Sequence, residues 1–177
     1  YRELLAQPFI HPRSRELESI GTCWAFARGE VAMMVNWFGF ATMCETVEGS
    51  TAKGCVDIAP VPHAAGYAKP VSLNVYYTWS VSAKSAHKQI AYDYIKNAVT
   101  RENDATLPMK GAIGCRRSTW LDPHVNAVIP YYSRMEQIHS YARTLPRIPQ
   151  WHAVSGIIDN MVIELIETQE PAQQIMD

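Results

Sequence analysis

The chain has 177 residues, 47% of them apolar, with 16 Lys and Arg against 17 Asp and Glu for a net charge of −1. That apolar content is enough for a buried core, and the charge balance gives no electrostatic case for nucleic acid or an anionic membrane surface. No apolar run approaches the roughly 18–20 residues that would span a bilayer, and four cysteines without a Cys-x-x-Cys pair argue against a zinc ribbon or a thioredoxin-like site.

Tyr1-Arg2-Glu3-Leu4-Leu5 reads as the middle of a helix, so an upstream part is expected to be missing; without a starting Met or signal peptide, the compartment stays open. Pro8 to Ser14 is a loop. Residues 15–28 read as a helix with Leu17, Ile20, Trp24 and Ala27 on one face and Ser14 as N-cap. Gly29 closes it, because glycine tolerates the left-handed conformation that lets the chain turn. Val31 to Val35 is an apolar run of strand length, which delivers Trp37 at its end. Phe38 to Met43 continues as a short helix. Glu45 to Gly54 is a polar loop flanked by Cys44 and Cys55. A disulfide across it is one reading, two buried thiols the other. Cys23 and Cys115 are read as core thiols.

Val56 to Pro62 alternates apolar and polar residues before prolines end the strand. Val71 to Ser82 is a second extended run, rich in β-branched and aromatic residues. Ser82 to Ser85 caps a helix with Ile90, Ala91, Tyr94, Ile95 and Ala98 as its stripe and Asn103-Asp104 at its end. Gly111 to Arg117 is a loop. Asp122-Pro123 opens the next helix as cap residue and first-turn proline. Pro146 to Pro149 is a rigid connector. Residues 151–167 form the clearest helix, with Val154, Ile158, Met161 and Leu165 on one face and Ile157 and Val162 beside them. Mixed elements with more helix than strand favour an α/β class with three or four strands.

The order Phe26-x-x-Gly29-Glu30-x-Ala32-Met33, then Trp37, resembles the extracellular solute-binding proteins that feed ABC-type sugar importers. Gly54 to Pro62 is similar to that family's strand ending in Pro-x-Pro. Val71 to Ser82 resembles its hinge strand, and Ser82 to Ala91 the helix start that follows. Tyr94-Ile95 stands at the family's Phe-Ile pair. Gly111 to Arg117 resembles "G-x-x-P-x-R", and Arg147 to Trp151 the late "P-x-x-P-x-W". Two departures bear on the pocket: Val75-Tyr76-Tyr77 replaces the usual hinge glycines, and Cys115 stands where "G-x-x-P-x-R" has proline.

The resemblance implies a type II periplasmic binding protein-like α/β fold, two lobes closing on a solute by a hinge. This chain would be its C-terminal portion, helix-rich and lacking most of the first lobe. Residues 1–75 would lie in the second lobe, 76–117 would form the hinge strand and the return to the first lobe, and 118–177 would be second-lobe helices. The implied partners are a small solute, first of all a sugar or oligosaccharide, and the membrane permease subunits of an ABC importer. The implied location is periplasmic or extracellular, membrane-anchored in a lipoprotein form. A chain lacking one lobe would expose apolar surface and self-associate.

A sugar cleft needs flat apolar faces for the C–H side of the ring and planar polar groups for its hydroxyls. Trp37 is the first candidate platform; the alternative is a core tryptophan. Tyr76 and Tyr77 point to opposite faces of an extended strand, and Trp79 shares a face with Tyr77. Trp151 either touches ligand or staples a helix end. Arg117 either forks onto hydroxyls or forms an ion pair. Asn36 is a hydroxyl partner candidate, whereas Glu30 reads as a surface charge. The six histidines are scattered without ligand spacing, so no metal and no cofactor is expected. Hydrolase, P-loop and dinucleotide signatures are missing, so no catalysis is expected. The competing readings are the same fold holding a polyol, a polyamine or an organic anion, an enzyme or a receptor or sensor domain built on that fold, and a purely structural helical module.

Overall fold

A computed structural model describes residues 2–63, 65–66 and 69–176. Its elements are α1 (Arg2–Leu5), α2 (Ser19–Ala27), α3 (Phe38–Thr46), β1 (Ser72–Leu73), α4 (Lys88–Ala98), α5 (Arg101–Met109), α6 (Arg117–Trp120), α7 (Pro123–Val128), a 3-10 turn (Tyr132–Arg134), α8 (Met135–Ser140), β2 (Ala142–Arg143), α9 (Trp151–Glu167) and α10 (Ala172–Met176). The chain divides into two compact units. One is Leu17–Thr144; the other joins Tyr1–Glu16 to Leu145–Asp177.

The larger unit is mainly helical. Its helix ends are set by glycines at two places. After α2, Gly29 takes φ 75°. Its N–H reaches the Phe26 carbonyl, and the Glu30 N–H reaches Ala25. That paired arrangement satisfies the last carbonyls of a helix through a left-handed residue. Gly111 does the same after α5 with φ 80°, its N–H on Pro108 and the Ala112 N–H on Leu107. Arg28, in the C-cap position of α2, lies over the Trp24 ring at 5.9 Å.

Two apolar clusters hold this unit. Ala41, Val125, Ile129, Tyr131 and Tyr132 form the first, with Phe38, Met109 and Trp120 against it. Phe38 meets Tyr132 edge-on at 5.4 Å and Tyr131 at 6.1 Å, a geometry that suits the ring quadrupoles. Cys23, Ala27 and Cys44 form the second, packed by Phe26, Phe40 and Met43. Val56 touches both clusters. Within the first, the Tyr131 hydroxyl is buried and has no hydrogen-bond partner among the described residues. Burial raises its pKa first of all, with the charge of Glu45 adding to the rise. A buried hydroxyl without a partner costs free energy that an apolar ring avoids. Tyr131→Phe should therefore leave stability unchanged or raise it by up to about 1 kcal/mol; a urea midpoint that falls would show a hydrogen bond lost.

The extended stretches differ most from expectation. Among the described residues the only sheet pairs β1 with β2 in parallel, Ser72 opposite Ala142 and Leu73 opposite Arg143. The expected strands at Val31 to Val35 and Val56 to Pro62 are irregular extended chain, and Val71 to Ser82 is strand only at Ser72–Leu73. A strand exists by virtue of a neighbour's backbone, and here that neighbour pairs with two residues only.

Several helix bounds also move. The helix expected from residue 15 starts at Ser19, with Glu18 rather than Ser14 in the N-cap position. Ser82 and Ser85 hold local turns, accepting from the Lys84 and His87 N–H groups, and α4 begins at Lys88. Helix α4 ends at Ala98. Thr100 then caps α5 by accepting from the Asn103 N–H, so Asn103 and Asp104 lie inside a helix rather than ending one. Asp122 caps α7 from the His124 and Val125 N–H groups, with Pro123 in its first turn, as expected.

In the smaller unit α9 spans the residues expected, Trp151–Glu167. Met161, Val162 and Leu165 are half-buried, whereas Val154, Ile157 and Ile158 are exposed, so the expected apolar face is covered over its second half only. Arg2 donates from Nε to the Leu165 carbonyl at 2.5 Å and from a terminal nitrogen to Glu170 at 2.6 Å. A cation at the carbonyl end of a helix is favoured by the helix dipole. Arg15 pairs with Glu167 at 2.9 Å across the same end.

Candidate functional site

The segment between α2 and α3 turns at Gly29 and runs extended to Trp37, which occupies the N-cap position of α3 with φ −71° and ψ 144°. Asn36 fixes that junction. Its side-chain nitrogen donates to the Ser19 carbonyl at 2.8 Å, and its side-chain oxygen accepts from the Trp37 N–H at 2.8 Å. The polar groups considered for a hydroxyl thus tie the segment to the start of α2 and orient Trp37. The indole itself is 44% exposed. A half-exposed indole on a fixed backbone keeps an apolar face open to a flat partner.

A second aromatic group lies on the extended chain after β1. Tyr77, Thr78 and Trp79 line a shallow recess. Tyr77 is 95% exposed, and Trp79 stands edge-on to Tyr94 of α4 at 5.9 Å. Tyr76 is turned to a different use, its hydroxyl accepting from the Asn74 side chain at 2.8 Å. Arg117 opens α6 and pairs with Glu136 of α8 at 2.5 Å on the surface. Trp151 begins α9, its N–H on the Ile148 carbonyl, in the smaller unit.

The loop ahead of Arg117 is held by a group not singled out from the sequence. Asp104 of α5 is buried. Its carboxylate accepts from the Cys115 N–H at 2.9 Å, the Arg116 N–H at 3.0 Å and the Thr119 hydroxyl at 2.6 Å. Gly114 completes the junction: its N–H donates to the Tyr132 hydroxyl and its carbonyl accepts from the Trp120 indole. A Cβ at Gly114 would sit 2.5 Å from the Thr119 methyl and 2.9 Å from the Asp104 carbonyl, so no larger residue fits. The sequence reading set Asp104 at a helix end, and its partners lie 11 to 15 residues on, at Cys115, Arg116 and Thr119.

The cysteines fall differently from expectation. Cys23 and Cys44 are fully buried, and Cys55 and Cys115 are exposed. Cys115 is therefore not a core thiol; it serves the loop through its backbone N–H while its side chain faces outward. The Cys44 sulfur lies 3.6 Å from that of Cys23 rather than beside Cys55. Among the described residues no cluster of three or more His, Cys, Asp or Glu side chains could hold a metal ion. No helix is long and apolar enough to cross a membrane, again among the described residues.

No protein-family profile matches the sequence. The fold is similar to that of T. maritima MalE3, solved with maltose bound, with a TM-score of 0.76 at 18% identity over 98% of this chain. The chain spans 45% of that protein's length.

Proposed function

We propose that this chain is part of a two-lobed receptor that captures a sugar or oligosaccharide and does no chemistry on it. The observation that supports this best is the fold likeness over 98% of the chain to a maltose-bound protein, taken with an indole held half-open at the head of α3. On this reading Trp37 is the stacking platform and Asn36 positions it. Tyr77 and Trp79 form a second apolar contact for a longer saccharide, with Tyr76 and Arg117 as further candidates around the ligand and Trp151 as a separate candidate within the smaller unit. The rest of the polypeptide supplies most of the first lobe, and residues 76–117 carry the chain between lobes. The apolar residues left open on α9 would favour self-association of the chain when isolated.

Capture works by population shift. A solute bridging two lobes gains contacts in the closed state that the open state lacks, so binding favours closure. The closed form is then the shape an ABC permease at the membrane recognises, which places the receptor outside the cytoplasmic membrane.

Calorimetric titration of the whole receptor with maltose, maltotriose, sorbitol, spermidine and citrate tests the reading. Saturable heat with one of the two saccharides, accompanied by a change in tryptophan emission, is the expected result. Saturation with spermidine or citrate alone would assign a different solute class, and silence with all five would remove the receptor reading.

A further inference from the structure

The geometry points to a disulfide between Cys23 and Cys44, formed as the chain folds under oxidising conditions and locking the base of the segment that carries Trp37. The two residues are 21 positions apart in sequence and lie on different helices, α2 and α3, packed against each other. Both are at 0% exposure, and their sulfurs are 3.6 Å apart. The sulfurs must approach from 3.6 Å to a disulfide bond length of about 2.05 Å. The surroundings are apolar: Ala27, Phe26, Phe40 and Met43 pack around the pair. The competing partner is badly placed, since Cys55 is exposed while Cys44 is buried.

The step balances with a small-molecule disulfide such as oxidised glutathione as the oxidant. One cysteine thiolate attacks the oxidant's sulfur, forming a mixed disulfide and releasing one glutathione thiolate. The second cysteine thiolate then displaces the other glutathione and forms the Cys23–Cys44 bond. Two thiols lose two protons and two electrons, and the oxidant gains both pairs as two glutathione thiols. In the folded chain burial pushes the Cys44 thiol up to about 12 and raises Cys23 as well. Few thiolates are then present, so exchange proceeds before the clusters close rather than after.

The consequence is local. The bond closes a covalent loop around Gly29, Asn36 and Trp37. Entropy is removed from the unfolded chain, and the Trp37 segment is clamped at both ends.

The test starts from the unaltered chain. The full chain is unfolded, then refolded in a mixture of reduced and oxidised glutathione, alkylated, and digested without reduction. The expected result is a linked peptide pair containing Cys23 and Cys44, with Cys55 and Cys115 alkylated. The oxidised form should also unfold at a higher urea concentration than the reduced form, and amide exchange over 30–37 should slow. A Cys23→Ala, Cys44→Ala double variant should show no dependence on oxidant. Recovery of alkylated Cys23 and Cys44 after refolding would overturn the proposal, as would a Cys44–Cys55 link or an oxidised form less stable than the reduced one.

Discussion

Trp37→Ala is expected to weaken saccharide binding at least tenfold while leaving the fold in place. The two halves of that expectation have separate grounds. Trp37 is 44% exposed, so more than half of its surface is covered and truncation should cost about 2 kcal/mol of stability, short of unfolding the chain. Its backbone already holds the N-cap geometry of α3, which alanine can adopt. What truncation does remove is the flat apolar face on which a sugar ring would lie, and a tenfold loss corresponds to about 1.4 kcal/mol. Trp37→Phe should recover part of the affinity, because a smaller face remains. Calorimetry on the two variants decides the matter, with thermal unfolding as the control. An unchanged dissociation constant for Trp37→Ala would take this residue out of the site and move attention to Tyr77 and Trp79.

Asp104→Ala is expected to have the largest effect on stability, about 3 kcal/mol, on the scale of hydrogen bonds to a charged group. The carboxylate gathers two backbone N–H groups and the Thr119 hydroxyl. Removing it orphans all three, and the Thr119 hydroxyl is fully buried. Asp104→Asn should cost less, since one acceptor oxygen survives, but its amide nitrogen would face donors instead of acceptors. Urea unfolding followed by tryptophan emission measures both, and Trp120 sits at the junction as a reporter. A change below about 1 kcal/mol for the alanine variant would mean that water replaces the carboxylate at the loop.

What could be read from the sequence was whatever is decided locally. Helix α9 announced itself through periodicity over seventeen residues. Gly29 announced the end of α2, because the left-handed conformation it takes is one that few other residues accept. Asp122-Pro123 marked the start of α7 by the same local logic. The extended runs failed for the opposite reason. Val31 to Val35 has the composition of a strand, but pairing needs a second backbone, and nothing within the run says whether one arrives. Ser72–Leu73 found its partner at Ala142–Arg143, far along the chain. The site divides the same way. Trp37 was legible as an aromatic at the end of an apolar run. Its orientation by Asn36 depends on Ser19, and the support of the Arg117 loop depends on Asp104; both are contacts between segments separated in sequence. The environment of Cys44 was decided by the same kind of contact. Of the two readings for Cys44, a bond to Cys55 or a buried thiol, packing of α2 on α3 buries it and brings the Cys23 sulfur.

The smaller unit joins two segments remote in sequence, Tyr1–Glu16 and Leu145–Asp177. During synthesis Arg2 leaves the ribosome long before its acceptors at Leu165 and Glu170 exist. At about 5–20 residues per second, that wait is on the order of ten seconds. The continuous stretch Leu17–Thr144 can gather meanwhile, but residues 2–16 lack their partners until α9 has emerged. A growing chain therefore carries Arg2 without its carbonyl acceptors until α9 has been made, and a ribosome stalled before α9 would leave it without them.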